Sequence, residues 1–271
     1  MVDKVSKRKC CVNIVQFSDF HFGNNDSTFN WKSFAMSLGF YLKKKVENPL
    51  LIISGDITFK GYSKGYVEAI KFFECLIDNG VTERSRILMC PGNHDIVNKS
   101  FREFDAFSYK LRRDSKFLFQ ERSHQEFLID GCLFKFFNSS YHMDHSYGLI
   151  EKSAMTTEHK NHDGLKIAVM HHHLLNMFKD DTSAVRNAYD LYKYLDIEGF
   201  NYLLHGHQHS EQSYCMGRSH MKVISARSGN YHQKGFLNSV NLYQINDVIF
   251  EGMVLVPEKS TSEIKIREMA L

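Results

Sequence analysis

The chain has 271 residues, 43% of them apolar and 24% charged, with a formal net charge of +3. That length and apolar content suffice for a substantial buried core, in one large α/β domain or two small ones. The small charge gives no electrostatic case for nucleic acid or membrane binding, and no apolar run reaches the length of a bilayer span.

The N-terminal stretch MVDKVSKRKCCVNIVQF is basic and then apolar, but its apolar part is too short and too polar for a signal peptide. Cys10, Cys11, Cys75, Cys90, Cys132 and Cys215 form no CxxC pair. They read as reduced thiols, so a cytoplasmic location is expected. Histidine is over-represented: there are 15, with HHH at 171–173 and HGHQH at 205–209.

Short apolar runs with strand length and β-branching recur at 12–17, 50–54, 86–90, 132–137, 165–170 and 202–204, then at 222–226, 239–245 and 248–256. Helix-period segments lie between the early runs. WKSFAMSLGFYLKKK puts Trp31, Phe34, Leu38 and Leu42 on one stripe, with lysines in its last turn. YVEAIKFFECLIDNG does the same with Val67, Ile70, Phe73 and Ile77, and Gly80 is placed to cap it. SAVRNAYDLYKYLDIEG is a third helical stretch. Strands alternating with helices predict βαβ units and a partly parallel sheet, while the last third reads as a strand meander.

Five of these runs are followed at once by metal-binding residue types. SDFHFG carries Asp19 and His21, GDIT carries Asp56, and GNHD carries Asn93, His94 and Asp95. HHHL begins at His171, and GHQH carries His207 and His209. Sites in open α/β sheets form at the carboxyl ends of strands. In extended backbone, residues two apart face the same way, so Asp19 with His21 and His207 with His209 can converge.

The donors are carboxylate, amide oxygen and imidazole, with no thiolate. That set suits manganese, iron, cobalt, nickel or zinc, and not a structural cysteine zinc site. Seven donors exceed one tetrahedral ion but serve two that share a carboxylate. Metal pairs about 3.5–4 Å apart are a recurring device for displacement at phosphorus.

The series DFH, GDIT, GNHD, HHHL and GHQH resembles the five signatures of the calcineurin-like metallophosphoesterase superfamily. The resemblance implies a single domain over 1–271, folded as a four-layer αββα sandwich of two mixed sheets. It also implies two divalent ions. Asp19, His21 and His209 would hold the first and Asn93, His171 and His207 the second, with Asp56 bridging. His94 would stand near the leaving group, oriented by Asp95. Many relatives have proline after the fourth-motif histidine where this chain has His172, His173 and Leu174, so either His171 or His172 fits as ligand. His205 is expected to be structural.

Residues 98–125 fit two readings: a helical cap over the metals, or an amphipathic helix with a solvated basic face. Possible rim contacts come from SSYHMDH (139–145) and SGNYHQKG (228–235). The expected activity is hydrolysis of a phosphodiester, a small or cyclic nucleotide, by in-line attack. A DNA-repair-type nuclease acting on nucleic acid and a non-catalytic protein-binding scaffold are the alternatives. The sequence names no protein partner.

Overall fold

The structure, a computed structural model, describes residues 11–246, 250–260 and 263–271. In chain order the elements are β1 (Cys11–Phe17), α1 (Trp31–Lys45), β2 (Leu50–Ser54), α2 (Ser63–Asp78), β3 (Ile87–Cys90), α3 (Arg102–Arg112), β4 (His124–Ile129) and β5 (Cys132–Phe137). They continue with β6 (Lys166–Val169), α4 (Ala188–Ile197), β7 (Tyr202–His205), β8 (Ser213–Met216), β9 (Met221–Ser225), β10 (Val240–Asn246), β11 (Phe250–Lys259) and β12 (Ile264–Ala270).

Two mixed sheets result, ordered β12-β11-β10-β1-β2-β3 and β4-β5-β6-β7-β9-β8. In the first, β1, β2 and β3 run parallel and β10 to β12 form an antiparallel meander. In the second, β5, β6, β7 and β9 are parallel, flanked by antiparallel β4 and β8. Strand alternation sorts the second sheet's residues between two cores. Phe134, Phe136, Ile167, Val169, Leu204 and Ile224 join the first sheet and helices α1 to α3 in the large core. Phe137, Ala168, Leu203 and Val223 point the other way and bury Leu191 and Leu195 of α4. Helices therefore cover the outer face of each sheet, giving the expected αββα order.

Local chemistry explains the helix ends. Asn30 Oδ1 accepts from the backbone N–H of Lys32 and Ser33, satisfying two donors that α1 would leave orphaned. Gly80 sits at φ +69° and closes α2, with Gly80 N–H on Ile77 O and Val81 N–H on Leu76 O. The buried face of α2 is rotated from the expected stripe: Tyr66, Ala69, Phe72, Phe73 and Leu76 are inside, and Val67 is exposed. The cause is Phe72, which packs on Phe17, Phe20, Phe22 and Phe34 and turns the helix toward them.

Two further expectations shift, at 183–199 and among the cysteines, while 98–125 takes the amphipathic form. The stretch at 183–199 is helical only from Ala188, because Val185 bridges to Gly148 instead. In 98–125, α3 buries Phe104, Phe107 and Leu111 in the large core and exposes Arg102, Lys110 and Arg113. Cys11, Cys75, Cys90 and Cys215 are free thiols, whereas Cys132 is disulfide-bonded, so not every cysteine is reduced. Spacing alone carries no signal for such a pairing. Of the run at 248–256, Val248 and Ile249 lie outside the described residues.

Candidate metal centre

The parallel strands deliver their carboxyl ends to one edge. Asp19 and His21 follow β1, Asp56 follows β2, Asn93 to Asp95 follow β3, His171 follows β6, and His207 and His209 follow β7. The means of convergence differs from extended alternation. Asp19, His21, Asp56, His207 and His209 all have left-handed backbone, with φ of 51°, 47°, 51°, 75° and 52°. Non-glycine residues adopt this region rarely and at a cost, and such conformations gather at functional sites. Glycine makes room beside them: a Cβ on Gly206 would come within 2.5 Å of Asp19 Oδ2, and one on Gly92 within 2.1 Å of Asp56 Oδ1.

The donor atoms of Asp19, His21 and His209 lie within 4.8 Å of one another, as do those of Asp56, His171 and His207. His21, Asp56 and His94 form a third such group, which places Asp56 between the other two. Asn93 Oδ1 lies 3.1 Å from His171 Nε2 and joins the second set.

Each carboxylate has one oxygen tied to backbone and one facing the centre. Asp19 Oδ2 accepts from His207 N–H at 2.9 Å, while Oδ1 is buried without a hydrogen-bond partner, 3.2 Å from His209 Nε2. Asp56 Oδ1 accepts from His94 N–H at 2.8 Å, and Oδ2 lies 3.3 Å from His171 Nε2 and 3.8 Å from His21 Nε2.

The imidazoles are similarly fixed from behind. His171 Nδ1 lies 2.8 Å from Ser54 O, which can only accept, so Nδ1 carries the proton and Nε2 faces inward. His209 Nδ1 lies 2.7 Å from Gln233 Oε1, leaving its Nε2 3.3 Å from His21 Nε2. Nitrogens this close need a cation or shared proton between them. The donor set, with its orphaned carboxylate oxygen, therefore fits divalent ions.

Electrostatics agree. Burial drives His21 and His207 down to about 3, keeping them neutral, as ligands must be. Burial also opposes charge on His171, yet the adjacent Asp56 carboxylate raises it to about 9. Asp56 itself, despite burial, is held well below the usual carboxylate range by His171 and His94. The cluster thus carries protons where bound ions would bring positive charge.

Other sequence candidates divide. His172 has its Nδ1 on Ser139 Oγ and its ring packed on His207, and it is His171 whose donor atom joins those of Asp56 and His207. His205 is the buried last residue of β7. Asp95 was expected to orient His94, but its carboxylate accepts from Gly92, Ile57 and Thr58 N–H and from Tyr66 hydroxyl instead. Burial and the Asp56 charge push Asp95 up to about 7. It fastens the GNHD turn to the chain after β2. His94 instead rests near-parallel to Phe59, with Nε2 4.0 Å from Asp56 Oδ2. His145 takes part through its carbonyl, which accepts from Asn93 Nδ2.

A cavity of about 310 Å³ opens over the centre, walled by His94, Phe59, Phe178, Tyr231 and Gln233. None of its lining residues comes from 98–125. Tyr231 and Gln233 belong to the SGNYHQKG stretch. Phe59, Phe178 and Ser183 carry no sequence signal beyond nearness to a motif. A larger groove of about 700 Å³ between α1 and β12 includes none of the proposed ligands.

The calcineurin-like phosphoesterase profile matches residues 12–211, which contain every one of these candidate donors. The chain belongs to the calcineurin-like phosphoesterase family. No curated protein matches it by sequence. Among solved structures it is similar to a dimetal phosphatase from Danio rerio, at 10% identity and TM-score 0.64, covering 96% of this chain and 98% of that one. It is also similar to a 5'-nucleotidase precursor from Thermus thermophilus, at 9% identity and TM-score 0.52, covering 95% of this chain and 55% of that one. Vps29 from Chaetomium thermophilum is a weaker likeness, at 9% identity and TM-score 0.47, covering 96% and 95%. At these identities the first two likenesses show the fold alone. Among the described residues no helix of this phosphoesterase is long and apolar enough to cross a membrane.

Proposed function

We propose that this family member is a dinuclear-metal-dependent phosphodiesterase acting on small or cyclic nucleotides. The observation that carries the reading is two donor groups, Asp19 with His21 and His209 and Asp56 with His171 and His207, linked by a third in which Asp56 also meets His21. Asp19, His21 and His209 would hold one ion, Asn93, His171 and His207 the other, and Asp56 both. Bound ions would supply Lewis-acid charge at the phosphoryl oxygens and lower the pKa of water.

The remaining roles fall to side chains on the rim. His94 Nε2 faces the cavity beside Asp56, within reach of a departing oxygen that needs a proton. Phe59 and Tyr231 offer flat faces for an aromatic base. The volume of about 310 Å³ suits a small ester. The exposed cations of α3 line no part of it, which weakens the nuclease alternative.

The test is turnover, with manganese, of a panel spanning cyclic nucleotides, dinucleotides, single-stranded oligonucleotides and model monoesters and diesters. Small diesters should be hydrolysed, chelation should abolish this, and added metal should restore it. Turnover of monoesters alone would overturn the diester assignment. Full activity after exhaustive metal stripping would overturn the dinuclear one.

A further inference from the structure

The segment between β6 and α4 folds back against the second donor set. His173 Nε2 lies 2.9 Å from Asn176 Oδ1 and 3.2 Å from Asp181 Oδ2. Asn176 Nδ2 donates to Asp181 O at 2.6 Å, and Gln208 Nε2 donates to Asp181 Oδ2 at 2.7 Å. The other oxygen, Oδ1, accepts from Ser183 N–H at 2.8 Å and from its hydroxyl at 2.5 Å. Ser183 Oγ in turn lies 2.8 Å from His207 Nε2.

Proton accounting gives this chain a direction. An ionised carboxylate only accepts, so the single hydroxyl proton of Ser183 goes to Asp181. The Ser183 oxygen must then accept from His207, which places the ring proton on Nε2. Nδ1 is left with its lone pair, and it is Nδ1 that lies 3.0 Å from His171 Nε2. A flipped tautomer or a rotated ring would turn an N–H into the centre and lose the donor.

We infer that Asp181 and Ser183 are positioning residues for the second metal ion. Asp181 orients the Ser183 hydroxyl, and that hydroxyl locks the tautomer and ring angle of His207. The inference rests on the dinuclear reading above and adds to it two residues outside the ligand set. Both residues also line the cavity beside Phe178, so one short segment shapes the rim and aims a ligand.

Ser183→Ala removes the hydroxyl but keeps the Ser183 N–H contact to Asp181, which makes it the cleaner variant. Chelator-stripped protein would be titrated with cobalt(II), following the visible absorption and heat of each binding step, without any assay of turnover. Whichever step fills the His207 site should weaken by about 10–100-fold, the usual effect of losing a partner behind a metal ligand. The other step and the melting temperature of the stripped protein should stay as they were, and Ser183→Thr should bind like the unaltered chain. Two unchanged steps in Ser183→Ala would overturn the inference and leave the dinuclear reading intact. Equal weakening of both steps, with a lower melting temperature, would reduce Ser183 to a structural role and overturn it too. Uptake of a single ion by the unaltered protein would overturn both.

Discussion

His94 has about a third of its side chain in solvent (33%) while its Nε2 stays 4.0 Å from the shared carboxylate. It is therefore placed to meet substrate, and its donor atom is also close enough to compete as a ligand. His94→Ala separates the roles. A proton donor's loss should leave both ions bound and lower kcat by about 10²–10⁴, less for p-nitrophenol, which departs without protonation. Metal analysis together with rates on good and poor leaving groups checks this, and loss of an ion would make His94 a ligand. Asp56 should behave differently. Its Asn variant should weaken both ions, while Asn93→Ala should deplete only the second, read as metal content per chain. The proposed ligands are legible in the sequence because each follows an apolar run by one to five residues. Their supports are not: the Ser54 carbonyl, the Ser183 hydroxyl and the Gln233 amide arrive by tertiary path, with nothing local to mark them. Asp95 shows the converse. Adjacency in GNHD suggested a partnership with His94, and the turn instead sends the carboxylate to Ile57, Thr58 and Tyr66.

At the scale of elements, the strands that the sequence left unmarked are β4, β8 and β12, and each is an edge of its sheet. These three are partly exposed and mix polar with apolar residues, as SYCM and IKIREMA do, so they show no apolar run, whereas the edge strand β3 is buried and does. Interior strands such as LLIIS are buried on both faces and are legible for that reason. The β4–β5 hairpin also holds an ion pair that no pattern announces. Lys135 Nζ lies 3.1 Å from Glu126 Oε2, with both side chains fully buried, and Glu126 Oε1 accepts from the N–H of Glu158 and His159. Glu126→Ala would strand a buried cation and unfasten the 158–159 segment. We expect a loss of about 3–5 kcal/mol in denaturant unfolding, partly recovered in the Glu126→Ala, Lys135→Met double variant. Burial works against the Glu126 charge, but His159 and Lys135 outweigh it and hold its pKa below the ordinary 4.5. Its stabilising share is thus present above that value and is lost as pH falls through the lower folded-state pKa.

For the whole molecule, the centre joins two sheets that also meet through apolar packing and a few buried hydrogen bonds, such as Gln16 Nε2 to His205 O and Asn241 Nδ2 to Ser225 O. Asp19, His21, Asp56 and Asn93 come from the first sheet, and His171, His207 and His209 from the second. Five of these seven hold left-handed backbone, a conformational cost that ligation would offset. The unfolded chain scatters the same donors, so ions binding only the folded state stabilise it by mass action. At a free concentration 100-fold above Kd, one ion contributes about 2.7 kcal/mol. For a chain of this size that corresponds to a rise in Tm of about 5–10 °C. Adding manganese to stripped protein should produce one such share for each ion bound, read in calorimetry, and a chelator should reverse it. Because the donors span both sheets, the holoprotein should unfold in one transition, with stabilisation shared by the two layers. Gly206→Ala supplies the control. Its Cβ would press on Ser18 and on Asp19 Oδ2, the oxygen that holds His207 N–H, disturbing donors of both sets, so the manganese-induced shift should shrink. A shift of full size in that variant, or none in the unaltered chain, would mean that the ions do not tie the sheets together.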